Sequence, residues 1–131
     1  MLGGDTNVLV RFFTRDDSKQ AARAASLLRS DDIWVAKTVF LETEWVLRSL
    51  YGFAPEDVIT ALRGLSGLIN IHVEDPFAIA KALDWFSGGL EFADALHLAS
   101  RSEAKRFMTF DEKFSRTAKR LGSIDVEIVA I

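Results

Sequence analysis

Short apolar runs alternate along this chain with longer stretches whose apolar residues recur at helical spacing. No other feature constrains the fold as much. "DIWVA" (32–36) and "INIHV" (69–73) read as buried strands, and "RFMTF" (106–110) reads as a strand. Each is followed by a helical stretch: "KTVFLETEWVLRSLYG", the segment opened by Asp75-Pro76, and "DEKFSRTAKRLG". Strands separated by helices pair in parallel, so the pattern predicts an α/β domain with helices layered on a central, mainly parallel sheet. "IDVEIVAI" (124–131) reads as the last strand.

Local signals set the expected helix ends. A first helix covers 19–28, after Asp16-Asp17-Ser18. Thr38 is the expected N-cap of the next, with Gly52 at its end. Pro55 marks the first turn of a helix carrying Val58, Ile59, Leu62 and Leu65, and a later helix with Ile79, Leu83 and Phe86 stops at Gly88-Gly89. "FADALHLASRS" reads as a further helix. The first strand is the least determined: only Met1 and Leu2 precede Gly3-Gly4, and the local pattern admits 8–13 as the strand instead.

Composition narrows the chemistry. A chain of 131 residues fits one domain, 1–131, with a sizeable core. The absence of cysteine excludes disulfides and thiolate metal sites, and two histidines argue against a zinc enzyme with nitrogen ligands. No apolar stretch approaches the roughly 20 residues of a membrane span and no signal-peptide pattern stands at the start, so a soluble, cytoplasmic protein is expected. The net charge of −3 offers no global attraction to nucleic acid. Cations nevertheless crowd near the C-terminus (Arg101, Lys105, Arg106, Lys113, Arg116, Lys119, Arg120), as a solvated helix face or a phosphate-binding surface.

The carboxylates fall at telling places. Asp5 and Asp111 stand beside strand candidates at chain reversals; Glu42 and Asp94 lie in early turns of helices. In a parallel sheet the strand ends and following helix starts gather along one edge, where ligands bind. Carboxylates packed there repel one another unless a hard cation such as Mg²⁺ or Mn²⁺ offsets the repulsion, and such a cation supports hydrolysis at phosphate. Each acid also has a purely structural reading. Asp5 suits a turn, Asp94 complements a helix dipole, and Thr109 with Glu112 has capping-box spacing around Asp111. Glu44 has Arg48 at i+4, a ready surface ion pair, whereas the face of Glu42 offers Val46 and Ser49 and no cation, which favours Glu42 as the functional acid. Glu91 precedes Asp94 by three residues and can share its face. His97 reads as a boundary residue, and Trp45, Trp85 and Phe86 as core.

"DTNVLVRFF", "VFLETEWVLRSLYG", "FADALHLA" and "FMTFDEKF" resemble, in order and spacing, the signature blocks of PIN-domain ribonucleases, specifically the VapC-type toxins of bacterial toxin–antitoxin pairs. The resemblance runs essentially from Leu2 to the C-terminus. It implies a three-layer α/β/α sandwich and a Mg²⁺- or Mn²⁺-dependent endoribonuclease that cuts structured RNA, typically tRNA or rRNA. Asp5, Glu42, Asp94 and Asp111 match the family's four acids; Thr6 or Asn7 would support the cluster, and Glu91 stands where the family often has an acid. The resemblance also places the strand before Asp5 and a short helix after it. Arg11, Arg48, Lys113 and Arg116 are candidates for RNA backbone contacts. A cognate antitoxin and a second copy of the chain are the implied partners. The sequence departs from the family at Gly3-Gly4, where apolar residues usually stand.

Two other readings stay open. A haloacid-dehalogenase-like phosphatase would use Asp5 as nucleophile, but wants a second acid where Asn7 stands. A catalytically inactive PIN-like binding module would use the acids only as caps and turns.

Overall fold

In a computed structural model, which describes residues 1–122 and 126–130, the apolar runs are short parallel strands. The chain divides into two compact units, Met1–Pro76 and a second beginning at Phe77.

In the first unit, β1 (Leu2–Gly3), β2 (Ile33–Val35) and β3 (Ile71–Val73) form a sheet in the order β1-β2-β3. Both pairings are parallel, with Gly3 beside Trp34 and Trp34 beside His72. Side chains alternate across a strand, so Ile33 and Val35 are fully buried while Trp34, between them, is 40% exposed. The expectation that 32–36 and 69–73 are buried strands holds for one face only: each strand has one open face, and Ile69 lies outside β3 and exposed.

Of the two glycines that depart from the family at the first strand, a Cβ on Gly3 would meet nothing within 4 Å, whereas Gly4 has a steric reason. It is buried, and a Cβ there would lie 2.9 Å from Ile33 Cγ2. Close approach of the chain to β2 therefore demands glycine. Residues 8–13 are not a strand; they lie within α1 (Thr6–Thr14), whose Leu9 and Val10 are buried at helical spacing. Helix α2 (Ser18–Ser30) follows, capped by Asp17; it packs on α1 and buries Ala21, Ala24 and Leu28.

Helix α3 (Lys37–Ser49) starts without a local side-chain cap, so Thr38 is not its N-cap. The Lys37 amide instead donates to Glu74 Oε1 at 2.9 Å, a partner 37 residues away. Helix α4 (Pro55–Ser66) begins at the expected proline and buries Val58, Ile59, Leu62 and Leu65.

The second unit holds α5 (Pro76–Ser87, joined at its first residue to the first unit), α6 (Phe92–Ala99), β4 (Phe107–Thr109), α7 (Glu112–Arg120) and β5 (Val126–Ile128). β4 and β5 pair in parallel, from Phe107 beside Val126 to Thr109 beside Ile128. Of the strand expected over 124–131, residues 124, 125 and 131 lie outside the described residues. Ile79, Leu83 and Phe86 are buried as the spacing of α5 predicts, and Trp85 and Phe92 are buried in the same unit. Gly89, at φ +115°, supplies the backbone conformation that ends that helix region. Helix α6 stops at Ala99, earlier than expected, because Ser100 and Arg101 turn back onto the last carbonyls. Among the described residues, no helix is long and apolar enough to cross a membrane.

Candidate active site

In the first unit, β1 leads straight into Asp5. Asp5 is exposed, and its Oδ1 accepts a hydrogen bond from the Val8 amide at 3.2 Å, capping α1. The cap uses one carboxylate oxygen and leaves Oδ2 without a hydrogen bond among the described residues. Thr6 is buried at the start of the helix, and Asn7 is exposed beside it. Arg11, one turn further, is held in a network. Its Nε donates to Gln20 Oε1 at 2.7 Å, and its Nη1 donates to Asp16 Oδ1 at 2.8 Å and to Tyr51 Oη at 3.1 Å. The Tyr51 hydroxyl in turn donates to Asp16 Oδ2 at 2.7 Å and, with Thr14 and Arg11, holds the Asp16 carboxyl below its ordinary range.

Helix α3 packs on α1 and carries both glutamates. Glu42 is exposed, Thr43 and Glu44 are buried, and Trp45 is 51% exposed, so Trp45 is not part of the core as expected. Glu44 and Arg48 do pair, but not as a surface ion pair: the Glu44 side chain is 3% exposed, with Arg48 Nε at 2.6 Å from its Oε2. Glu42 is left as the solvent-facing carboxylate of the helix.

In the second unit, β4 leads through Phe110 to Asp111. The Asp111 amide donates to Thr109 Oγ1 at 3.0 Å, and Asp111 Oδ1 accepts from the Phe114 amide at 3.0 Å. Asp111, rather than Thr109, is therefore the N-cap of α7. Again one carboxylate oxygen caps, and the other has no hydrogen bond among the described residues. Glu91 occupies the N-cap position of α6 without a side-chain cap bond, and Asp94 lies in the first turn. Glu91, Asp94 and Asp111, together with Lys113 and Thr117, line one concavity of about 50 Å³.

Asp94 is the electrostatic centre of this group. Partial burial raises its pKa most, and the negative charges of Glu91 and Asp111 raise it further; His97 offsets only part of this. An acid pushed up by burial and by like charges is one that a cation would relieve. The donors are carboxylate oxygens, the type preferred by Mg²⁺ and Mn²⁺. Among the described residues, no three His, Asp or Glu side chains form a ready metal cluster. Mg²⁺ does not require one, since it keeps waters and binds through one or two carboxylates plus substrate phosphates.

The remaining candidate cations differ in freedom. Arg116 stands 3.9 Å from Glu112 with both side chains more than two-thirds exposed, and Lys113 faces the acidic concavity. Sequence reasoning missed Glu74, the distant cap of α3, and the Asp16–Tyr51 pair that holds Arg11. Glu74 and Tyr51 have no local signal, because they stand 37 and 40 positions from Lys37 and Arg11.

The PIN domain family model matches residues 5–120 of the chain. No curated protein sequence matches it. One similar solved structure is the Mycobacterium tuberculosis toxin VapC20, described as cleaving the sarcin–ricin loop. It is 19% identical, with 97% of this chain and 99% of that one covered, and a TM-score of 0.46.

Proposed function

The chain belongs to the PIN domain family, and from that premise we propose that it is the toxin ribonuclease of a toxin–antitoxin pair, with residues 1–131 acting as one catalytic domain. The observation that carries this reading is Asp94, a part-buried carboxyl raised by its burial and by the charges of Glu91 and Asp111. A structural acid is ordinarily paired with a cation, as Glu44 is; three acids that share one concavity, with the charge of Asp94 offset only in part, suit a functional arrangement.

Asp5, Glu42, Asp94 and Asp111 are the proposed holders of Mg²⁺ or Mn²⁺, with Glu91 adding negative charge and Thr6, Asn7 and Thr109 keeping the acidic segments in place. When bound, the cation supplies a more acidic water and charge stabilisation at the scissile phosphate. The protein's own part is orientation. Caps on Val8 and Phe114 fix the Asp5 and Asp111 carboxyls while exposing one oxygen of each, and partial burial of Asp94 strengthens every charge interaction it makes. Structured RNA, tRNA or rRNA, is the proposed substrate, with Arg11, Arg48, Lys113 and Arg116 as candidate backbone contacts. A cognate antitoxin, a second copy of the chain and a cytoplasmic setting complete the reading.

The test is cleavage of folded total RNA by wild type, Asp5→Asn and Asp94→Asn with Mg²⁺, Mn²⁺ or Ca²⁺. Cleavage by wild type with the first two ions and not with Ca²⁺, lost in both variants, is expected. Equal cleavage by all three proteins removes the proposed site.

A further inference from the structure

We propose that the outward face of α2, carrying Lys19, Arg23 and Arg29, docks the phosphate backbone of structured RNA. The inference rests on the ribonuclease reading and adds a substrate-positioning surface to it. Helix α2 has the sequence "SKQAARAASLLRS", three cations and no acid, in a chain whose net charge is −3. Ala21, Ala24 and Leu28 are buried and set its inner face; Lys19, Arg23, Ser26 and Arg29 are exposed.

None of the three cations has an acidic partner or a hydrogen bond among the described residues. The acids nearby are engaged elsewhere. Asp16 holds Arg11, Thr14 and Tyr51; Asp17 caps α2 through the Gln20 amide at 3.0 Å; Asp31 accepts from the Ser30 hydroxyl. The cations of α7 are more committed: Arg116 faces Glu112, the charge of Lys119 acts on Glu127, and Arg120 donates to the Gly88 carbonyl at 2.7 Å. Free guanidinium and ammonium groups on a rigid helix are what a polyanion neutralises.

Two features select nucleic acid over a protein partner. The outward face has Ala22 and Ser26 between its cations and no large apolar side chain, whereas protein interfaces are anchored by apolar and aromatic groups. At a rise of about 1.5 Å per residue, Lys19 and Arg29 stand about 15 Å apart along the helix, a span that follows a strand backbone rather than a point charge. The surface also leads toward the candidate site of its own unit. Arg23 shares a concavity of about 430 Å³ with Gln20, Leu27, Arg11, Val8 and Asn7, and Asn7 stands two positions after Asp5.

The experiment is a titration of fluorescently labelled bulk tRNA with the full chain in EDTA, so that nothing is cleaved, over a range of salt concentrations. Relative to wild type, the K19Q/R23Q/R29Q variant should bind about tenfold or more weakly near 0.1 M salt. Its log–log salt slope should be shallower by about 2–3. Arg116→Gln should change the slope by about one at most. Ser26→Glu, which removes no contact and adds a carboxylate to the middle of the face, should weaken binding in the same assay. Unchanged affinity and slope in variants with wild-type circular dichroism overturns the docking surface and gives the face to another partner. Absence of metal-dependent cleavage by wild type, with the slope difference intact, overturns the ribonuclease reading instead.

Discussion

Each unit of the molecule buries a carboxylate inside or at the start of a helix, and the two have opposite surroundings. In the first unit Glu44 is almost wholly enclosed in α3 and holds Arg48 at 2.6 Å. In the second, Asp94 is part-buried at the start of α6, and the charges that reach it from Glu91 and Asp111 are of its own sign. Burial alone therefore nominates no functional acid. A buried acid with a cation is a structural solution, since pairing offsets desolvation. A part-buried acid among other acids, with its charge offset only in part by His97, is one that a protein sustains where a ligand supplies the missing charge.

The largest test of this contrast is Asp94→Asn. RNA cleavage is expected to fall about 100-fold or more, the effect of losing a group that supports charge at the reacting phosphate, measured as initial rates with Mg²⁺. Stability should move the other way. Because the fold raises the Asp94 pKa, its contribution to stability is fully present below the unfolded pKa and is lost as pH rises through the folded one. Ionised Asp94 thus opposes folding at neutral pH. The Asn variant should melt higher than wild type at pH 7, and the gain should shrink toward about pH 4. An Asn variant that melts lower at pH 7 would break the contrast.

Glu44→Ala should do the reverse, removing the carboxylate that Arg48 Nε meets and leaving a gap in its place. A loss of about 1–3 kcal/mol in urea unfolding is expected, with cleavage per folded molecule retained. Glu42→Gln, on the exposed side of the same helix, should change stability by less than about 0.5 kcal/mol while lowering cleavage. Equal behaviour of the two glutamates would remove the distinction between them.

The capping aspartates sharpen the comparison further. Asp5→Ala and Asp111→Ala should each cost about 1 kcal/mol through loss of the Val8 and Phe114 caps, whereas the Asn variants should keep most of that stability. Cleavage should fall in all four, because the Asn side chain preserves the cap but removes the charge.

Tyr51→Phe lies outside the acidic groups and should leave cleavage unchanged; a small drop in melting temperature at neutral pH is expected, read from thermal melts. Asp16, whose pKa the fold lowers, contributes stability above its unfolded pKa that disappears as pH falls through the folded value. Without the Tyr51 hydroxyl, the difference between wild type and variant should therefore narrow on acidification.

Much of this molecule is written in local pattern. The period of Val58, Ile59, Leu62 and Leu65 after Pro55, the spacing of α5, and Asp-led helix starts at Asp17 and Asp111 all follow from preferences that act within about one helical turn. So does the parallel strand–helix order, and so do the four acids that nominate a hydrolytic site. Tertiary structure decided the rest. Residues 8–13 are helix rather than strand because Leu2 and Gly3 pair with β2 and Gly4 alone fits against Ile33. Helix α3 begins where Glu74 meets the Lys37 amide, and which glutamate of that helix is enclosed depends on what packs over it. The Asp94 pKa likewise depends on Asp111, 17 positions later, whose charge is near only after folding. Backbone preference is local, whereas pairing, burial and Coulomb interaction depend on distance in space, and folding alone brings these residues within range.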